Sequence, residues 1–341
     1  MQNVIGQSQK TEGATLRGHL RIARADHWVK NVFVLPGVVV ALSVDPGRLA
    51  TLGVLDAFIG LTALCLITSS NYVLNELLDA PFDLIHPTKS RRPVPSGQVS
   101  TPLAYVQWLV LLASGTLLSL RFSTAFTASL AALWVMGCMY NIPPLRTKDI
   151  PYLDVLTEAI NNPLRFLAGW YMTGITAFPP ASLLMSYWMV GCYFMAIKRF
   201  AEYRHIGSPG RSASYRKSFH YYTEQRLLVA TMFYGAHAML FFGAFIMRYR
   251  LELLLSFPLV ALVMAVYLAM GFKADSAAQR PEALYREPAL MAAVASCAVA
   301  MGVLLFVDVD VLHRIFVPTI PTIENPKAGW VSWLLEQFAR R

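Results

Sequence analysis

Charged side chains are scarce in this chain. Asp, Glu, Lys and Arg make up 14% of its 341 residues, whereas 56% are hydrophobic. Soluble domains carry roughly 25% charged residues. The deficit, with a mean hydropathy of +0.47, excludes that class and points to a polytopic membrane protein. Cysteine is also sparse. Cys65, Cys138, Cys192 and Cys297 all lie in apolar runs and form no Cys-x-x-Cys pair, which speaks for packing rather than a disulfide framework or thiolate metal site. The first 27 residues contain no apolar core of a leader, so no cleavable signal is expected and the first span itself directs insertion. No repeat of short period and no low-complexity tract occur. The net charge of +9 has no soluble basic domain to carry it, so nucleic acid is not an expected partner.

What the chain does have is a series of apolar runs. A bilayer crossing needs about 20 residues. Such runs fall near 50–74, 101–120, 123–140, 152–175, 181–197, 225–247, 251–271 and 287–307. A shorter run at 32–44, containing Pro36-Gly37, reads as a kinked first span. The expected fold is an all-α bundle of about nine transmembrane helices. With the N-terminus inside, Lys and Arg crowd the cytoplasmic segments, and the opposite loops hold only Arg48, Arg121, Arg248 and Arg250. This satisfies the positive-inside rule and implies an integral protein of a cell (inner) membrane, with its polar loops in the cytoplasm. Residues 1–15 read as a disordered tail, 16–307 as the transmembrane catalytic domain and 308–341 as a C-terminal tail. Within these, 16–31 reads as an interfacial helix, and Trp330-Val331-Ser332-Trp333-Leu334-Leu335 as a second one. Oligomeric state is open.

The polar residues concentrate in a few places. Asn75, Glu76 and Asp79 close one apolar run at helical spacing, and Asp83 follows one turn later. Acidic and amide oxygens of this kind suit Mg²⁺, a hard cation held by a few carboxylates and substrate phosphates. Lys89 and Arg92 follow, placed to neutralise a diphosphate. Two longer polar loops, 79–100 and 198–224, lie after spans two and six. The second begins Lys198-Arg199-Phe200-Ala201-Glu202 and holds Arg216 and Tyr222. Arg offers phosphate a planar fork and Lys a point charge. A third cluster supplies an aromatic wall, Tyr140, two cations, Arg146 and Lys148, and a carboxylate, Asp154. Arg165 is a lone cation in an apolar span, and intramembrane cations are functional candidates by default. Lys30 and Asn31 stand where the first span enters.

These motifs resemble the UbiA-type intramembrane prenyltransferase superfamily over roughly residues 20–300. Its first acidic motif, Asn-Asp-x-x-Asp-x-x-x-Asp after the second of nine helices, is matched by Asn75, Asp79 and Asp83. Glu76 stands for the first Asp, and Pro81 is expected to interrupt the helix between the last two acids. His86-Pro87-Thr88-Lys89 and Arg92-Pro93 match the basic stretch downstream. The aromatic prenyltransferases of the superfamily carry a second aspartate-rich set after helix six, where this chain has Lys198-Arg199-x-x-Glu202. That pattern, with Trp28-Val29-Lys30-Asn31 and Arg216-Lys217-Ser218, is similar to the branch that transfers phosphoribose to a polyprenyl phosphate. Pro143-Pro144-Leu145-Arg146 is closer to the aromatic branch.

The resemblance implies a Mg²⁺-dependent transferase that moves 5-phosphoribose from phosphoribosyl diphosphate to a polyprenyl phosphate. The implied metal ligands are Asn75, Glu76, Asp79 and Asp83, with Asp79, Asp83 and Lys198 at the chemistry. Lys30, Asn31, Lys89, Arg92, Tyr140, Arg146, Lys148, Asp154, Arg165, Arg199, Glu202, Arg216 and Tyr222 would bind substrate. Two other readings stay open. One is an aromatic prenyltransferase with a polyprenyl diphosphate donor, Tyr140 and Asp154 meeting its acceptor. The other is a lipid-binding or transport protein without chemistry, which the nearly uncharged outer loops disfavour.

Overall fold

The longest helix of the chain, α4 (Val54–Asp83), runs 30 residues and ends in the acidic motif. A computed structural model describes residues 13–84, 89–207, 217–279 and 281–317, and these contain helices and turns but no strand. Met1–Phe306 form one unit and Val307–Arg341 a second. Of the second unit, the helix Asp310–Ile315 is described. The interfacial helix expected at 330–335 and most of the expected N-terminal tail lie outside the described residues.

In the first unit, α1 (Leu16–Ile22) starts on Thr15, whose hydroxyl accepts the Gly18 amide. Arg24, in the left-handed region at φ 50°, breaks it from a 3-10 segment, Ala25–Val34. The helix α2 (Leu35–Val44) follows directly. Pro36 therefore begins α2 instead of kinking it, because a first-turn residue has no intrahelical N–H bond to lose. After α3 (Arg48–Thr51) and α4 come α5 (Thr101–Ser119), α6 (Thr124–Asn141), α7 (Leu153–Ala159), α8 (Asn161–Met172) and α9 (Ala181–Ile206). The chain then forms α10 (Glu224–Tyr249), α11 (Phe257–Gly271) and α12 (Pro288–Leu304). Thr223 caps α10 by accepting the Arg226 amide.

Among the described residues, five stretches are long and apolar enough to cross a membrane: Leu16–Val44, Val54–Asp83, Thr101–Ser119, Glu224–Tyr249 and Leu251–Gly271. The run expected as one span at 152–175 is two helices. Pro163 lacks the amide that would bond the Ala159 carbonyl, and the Asn161 side chain donates to the Glu158 carbonyl at the break. Pro81, by contrast, does not interrupt α4. It lies in the last turn, where one lost backbone bond is tolerated, and Leu84 still bonds Ala80.

Helix α5 shows the environment. Leu103, Val106, Val110 and Leu117 are all exposed and share one face. A water-facing helix puts polar residues there, so this face suits lipid. Inside the bundle, α9 packs along α10, and α2 along α8. Gly37 and Gly169 permit the second contact, since a Cβ on either would meet the carbonyl oxygen of Phe166 or Val34 at 2.0 or 2.1 Å. Close backbone approach at small residues is characteristic of membrane helix pairs.

Candidate active site

Three clusters of charge gather on α4, α6–α8 and α9 and the loops beside them. The first centres on Asp79. Its Oδ1 accepts from Lys148 Nζ at 2.5 Å and Arg146 Nη2 at 2.9 Å, and its Oδ2 accepts from Asn75 Nδ2 at 3.3 Å. Asn141, the last residue of α6, joins in. Its Oδ1 accepts from Asn75 at 2.5 Å and from Lys148 at 2.8 Å. Arg146 reaches this position with φ 25°, a conformation unfavourable for a residue with a side chain. Bonds to Asp79, Asp149 and the carbonyls of Leu78 and Asn141 hold it there. The Lys148 ammonium also lies 5.8 Å from the Tyr140 ring centre, within cation–π range.

Asp83 and Glu76 form the second cluster. Asp83 accepts from Arg92 Nη1 at 2.6 Å. Glu76 is buried, accepts the Val94 amide at 3.1 Å, and lies 3.9 Å from Arg24 Nε. Its carboxylate is thus committed to anchoring the loop that carries Arg92. Among the described residues, no three His, Cys, Asp or Glu side chains converge as a metal cluster. The donors that suit a hard cation are the oxygens of Asn75, Asp79 and Asp83. Glu76, expected as a fourth ligand, holds the loop.

The third cluster inverts this pattern. Arg199, 1% exposed, is gripped by three carboxylates: Asp154 at 3.1 Å, Glu158 at 2.9 Å and Glu202 at 2.9 Å. Tyr140 donates to Glu158 at 2.8 Å. Tyr222 donates to Asp154 at 2.5 Å while accepting the Tyr152 amide, and Ser218 donates to Asp154 at 3.3 Å. Burial, then the charge of Asp154, pushes the Tyr222 phenol up, so it stays a donor. The expectation that Arg199 and Asp154 touch substrate meets a physical obstacle. The guanidinium fork is filled by carboxylates, and Asp154, fully buried, is saturated by Arg199, Tyr222 and Ser218. Beside them Lys198 is half-buried, with no ion pair or hydrogen bond among the described residues. Arg216 lies outside the described residues.

Arg165 and Asn31, singled out separately, meet. Arg165 Nε donates to Asn31 Oδ1 at 3.1 Å, and Asn31 Nδ2 donates to Thr68 and Cys65 on α4. Lys30 and Lys89 are half-buried, and Lys89 acts electrostatically on Asp79. Sequence reasoning missed Glu158, Asn141 and Arg24. Glu158 was detectable as an acid four residues after Asp154 in an apolar run. Arg24 gave no signal beyond its count as a basic residue.

The family model described as "UbiA prenyltransferase family" matches residues 33–294. A decaprenyl-phosphate phosphoribosyltransferase of Corynebacterium glutamicum is 30% identical over 210 residues, 60% of this chain and 60% of that protein. One of Mycolicibacterium smegmatis is 29% identical over 233 residues, 65% of this chain and 68% of that protein. The match thus spans under two thirds of the corynebacterial relative. Among solved structures, a UbiA homolog from Archaeoglobus fulgidus bound to DMAPP and Mg²⁺ aligns with a TM-score of 0.64 at 19% identity. That alignment covers 83% of this chain and 99% of that one, a likeness of fold.

Proposed function

The chain belongs to the UbiA prenyltransferase family, and we propose that it transfers 5-phosphoribose from phosphoribosyl diphosphate to a polyprenyl phosphate, releasing pyrophosphate. One observation carries the reading. At the end of α4, carboxylates alternate with cations (Asp79 with Arg146 and Lys148, Asp83 with Arg92), the donor set a metal-bound diphosphate requires. Asn75, Asp79 and Asp83 would hold Mg²⁺, which when bound would supply Lewis-acid stabilisation of negative charge on a leaving diphosphate.

The protein's own groups do the rest. The bond from ribose C1 to the diphosphate oxygen breaks with its electron pair leaving on pyrophosphate. A phosphate oxygen of the lipid bonds C1. Arg146, Lys148, Lys89 and Arg92 present preorganised positive charge to the leaving group. The nucleophile is already anionic, so no general base is needed. Lys198 remains available to the lipid phosphate, whereas Arg199 and Glu202 act by positioning α7 and α9.

The aromatic alternative loses its proposed base, because Asp154 is committed to three donors. The names of the phosphoribosyltransferase relatives support the same choice. The bundle is read as nine crossings of an inner membrane, with the N-terminus and the loops 79–100 and 198–224 cytoplasmic. A cysteine at Ser96 should then be labelled from that side alone, and one at Ala177 from the other. Labelling of both from one face removes the nine-span arrangement.

The deciding assay uses the full chain in nanodiscs with Mg²⁺. Pyrophosphate should be released from phosphoribosyl diphosphate when polyprenyl phosphate is present. Prenylation of 4-hydroxybenzoate from a polyprenyl diphosphate, with no such release, would make the aromatic reading correct.

A further inference from the structure

Filled guanidinium and ammonium groups are the rule inside this bundle. Arg199 has three carboxylate partners, and Lys148 and Arg92 each hold an acid. Arg165 breaks the rule. It is 8% exposed and, among the described residues, forms one hydrogen bond, Nε to Asn31 Oδ1, and no ion pair. Its two Nη atoms donate to no acceptor among the described residues. Leaving a buried cation without a counter-charge is strongly unfavourable, and a residue kept in that condition marks a ligand pathway.

Its surroundings are built rather than incidental. Nε is fixed by Asn31, which is itself clamped by Thr68 and Cys65. Trp28, on the same 3-10 segment, is pinned to Ser69. The fork is thereby held with its Nη edge open. The groups acting on it electrostatically are Tyr72, Tyr187, Glu158 and Cys65. Glu158 is spoken for by Arg199 and Tyr140, and Tyr187 donates to the Phe33 carbonyl. The Tyr72 hydroxyl has no hydrogen-bond partner among the described residues. Tyr72 lies on α4 at 72, three residues before Asn75 and seven before Asp79, so it shares their helical face.

We infer that Arg165 is an anion subsite for a phosphomonoester, with Tyr72 as an accessory donor. The ligand is the phosphomonoester group of one of the two substrates, the other or the same molecule placing its diphosphate at Asp79. A fork plus a hydroxyl provides donors for the terminal oxygens of one phosphoryl group. The inference rests on the phosphoribosyl reading for the source of the group, which is either the sugar 5-phosphate or the lipid phosphate. Asn31 is a positioning residue for the fork.

The test measures binding to the full chain in nanodiscs by equilibrium dialysis. The probes are labelled ribose 5-phosphate, farnesyl phosphate, pyrophosphate and 4-hydroxybenzoate. Arg165→Met should weaken one of the two monoesters by at least about 10-fold, the scale of a lost charge-assisted hydrogen bond, and change pyrophosphate by less than about 2-fold. Loss confined to ribose 5-phosphate assigns the sugar phosphate, and loss confined to farnesyl phosphate assigns the lipid. Equal loss of monoester and pyrophosphate means a structural role and overturns the subsite. So does selective loss of 4-hydroxybenzoate, or no change at all. If Arg165→Met does not fold, Arg165→Lys carries the same comparison, because it keeps the charge and removes the fork. Arg165-dependent monoester binding without pyrophosphate release in the assay above retains the subsite and refutes the phosphoribosyl reading.

Discussion

The clusters at Asp79 and Arg199 are charge inversions of one another. At Asp79 one carboxylate faces two cations; at Arg199 one cation faces three carboxylates. The Asp79 side chain is 21% exposed, against 2% for Arg199. An excess of positive charge that solvent can reach is suited to capturing an anionic diphosphate. A sealed guanidinium ringed by an excess of negative charge is suited to holding helices together. The family resemblance placed binding at both loops; the central groups of the two differ in burial.

The largest effect expected from this contrast is at Arg199. Arg199→Leu strands one fully buried and two partly buried carboxylates and should cost about 3–5 kcal/mol of stability, read as the unfolding midpoint in detergent. A loss under about 1 kcal/mol would mean the cluster is not structural. Next is Asp79→Asn, which should preserve the fold yet reduce pyrophosphate release at least about 100-fold, or about 2.7 kcal/mol in barrier. Near-wild-type turnover at saturating Mg²⁺ would remove Asp79 from the metal site. Tyr222→Phe should cost about 1.5 kcal/mol for a hydrogen bond to a charged acceptor. The sign of its pH dependence follows from the raised phenol. The stabilisation is complete below the unfolded pKa of about 10 and is lost as pH rises beyond it. Wild-type protein should therefore lose more stability at alkaline pH than Tyr222→Phe does. Lys198→Ala is the mildest, with stability within about 0.5 kcal/mol of wild type. Its apparent KM for polyprenyl phosphate should rise. An unchanged KM would leave Lys198 without a role.

Much of this was legible because spacing along one helix is local information. Asn75 and Asp79 are neighbours by the 3.6-residue repeat alone, and they do meet. The helical class and the apolar spans follow from composition in the same way. The pairings across the bundle were not legible. Asp154 and Arg199 were both singled out, but as members of different clusters, because nothing local says that α7 packs on α9. Glu76 shows another limit. Its acid character matched a ligand, and its contacts to the Val94 amide and Arg24 were not legible, because amides leave no mark in a sequence. Proline failed in both directions. Pro81 was read as an interruption and Pro36 as a kink, yet α4 continues past the first and the second opens α2. Pro163, which does mark a break, was passed over within an apolar run.

The doubly occupied oxygen of Asp79 has a consequence for how donor affinity responds to salt. Arg146 and Lys148 do not wait in water for an anion; they already lean on Asp79 Oδ1. An incoming diphosphate therefore takes over cations from a resident carboxylate, a swap of one negative partner for another. Screening weakens both sides of such a swap in similar measure. Affinity should then fall only gently with ionic strength, in the manner of an ion exchanger whose counter-ion is part of the resin.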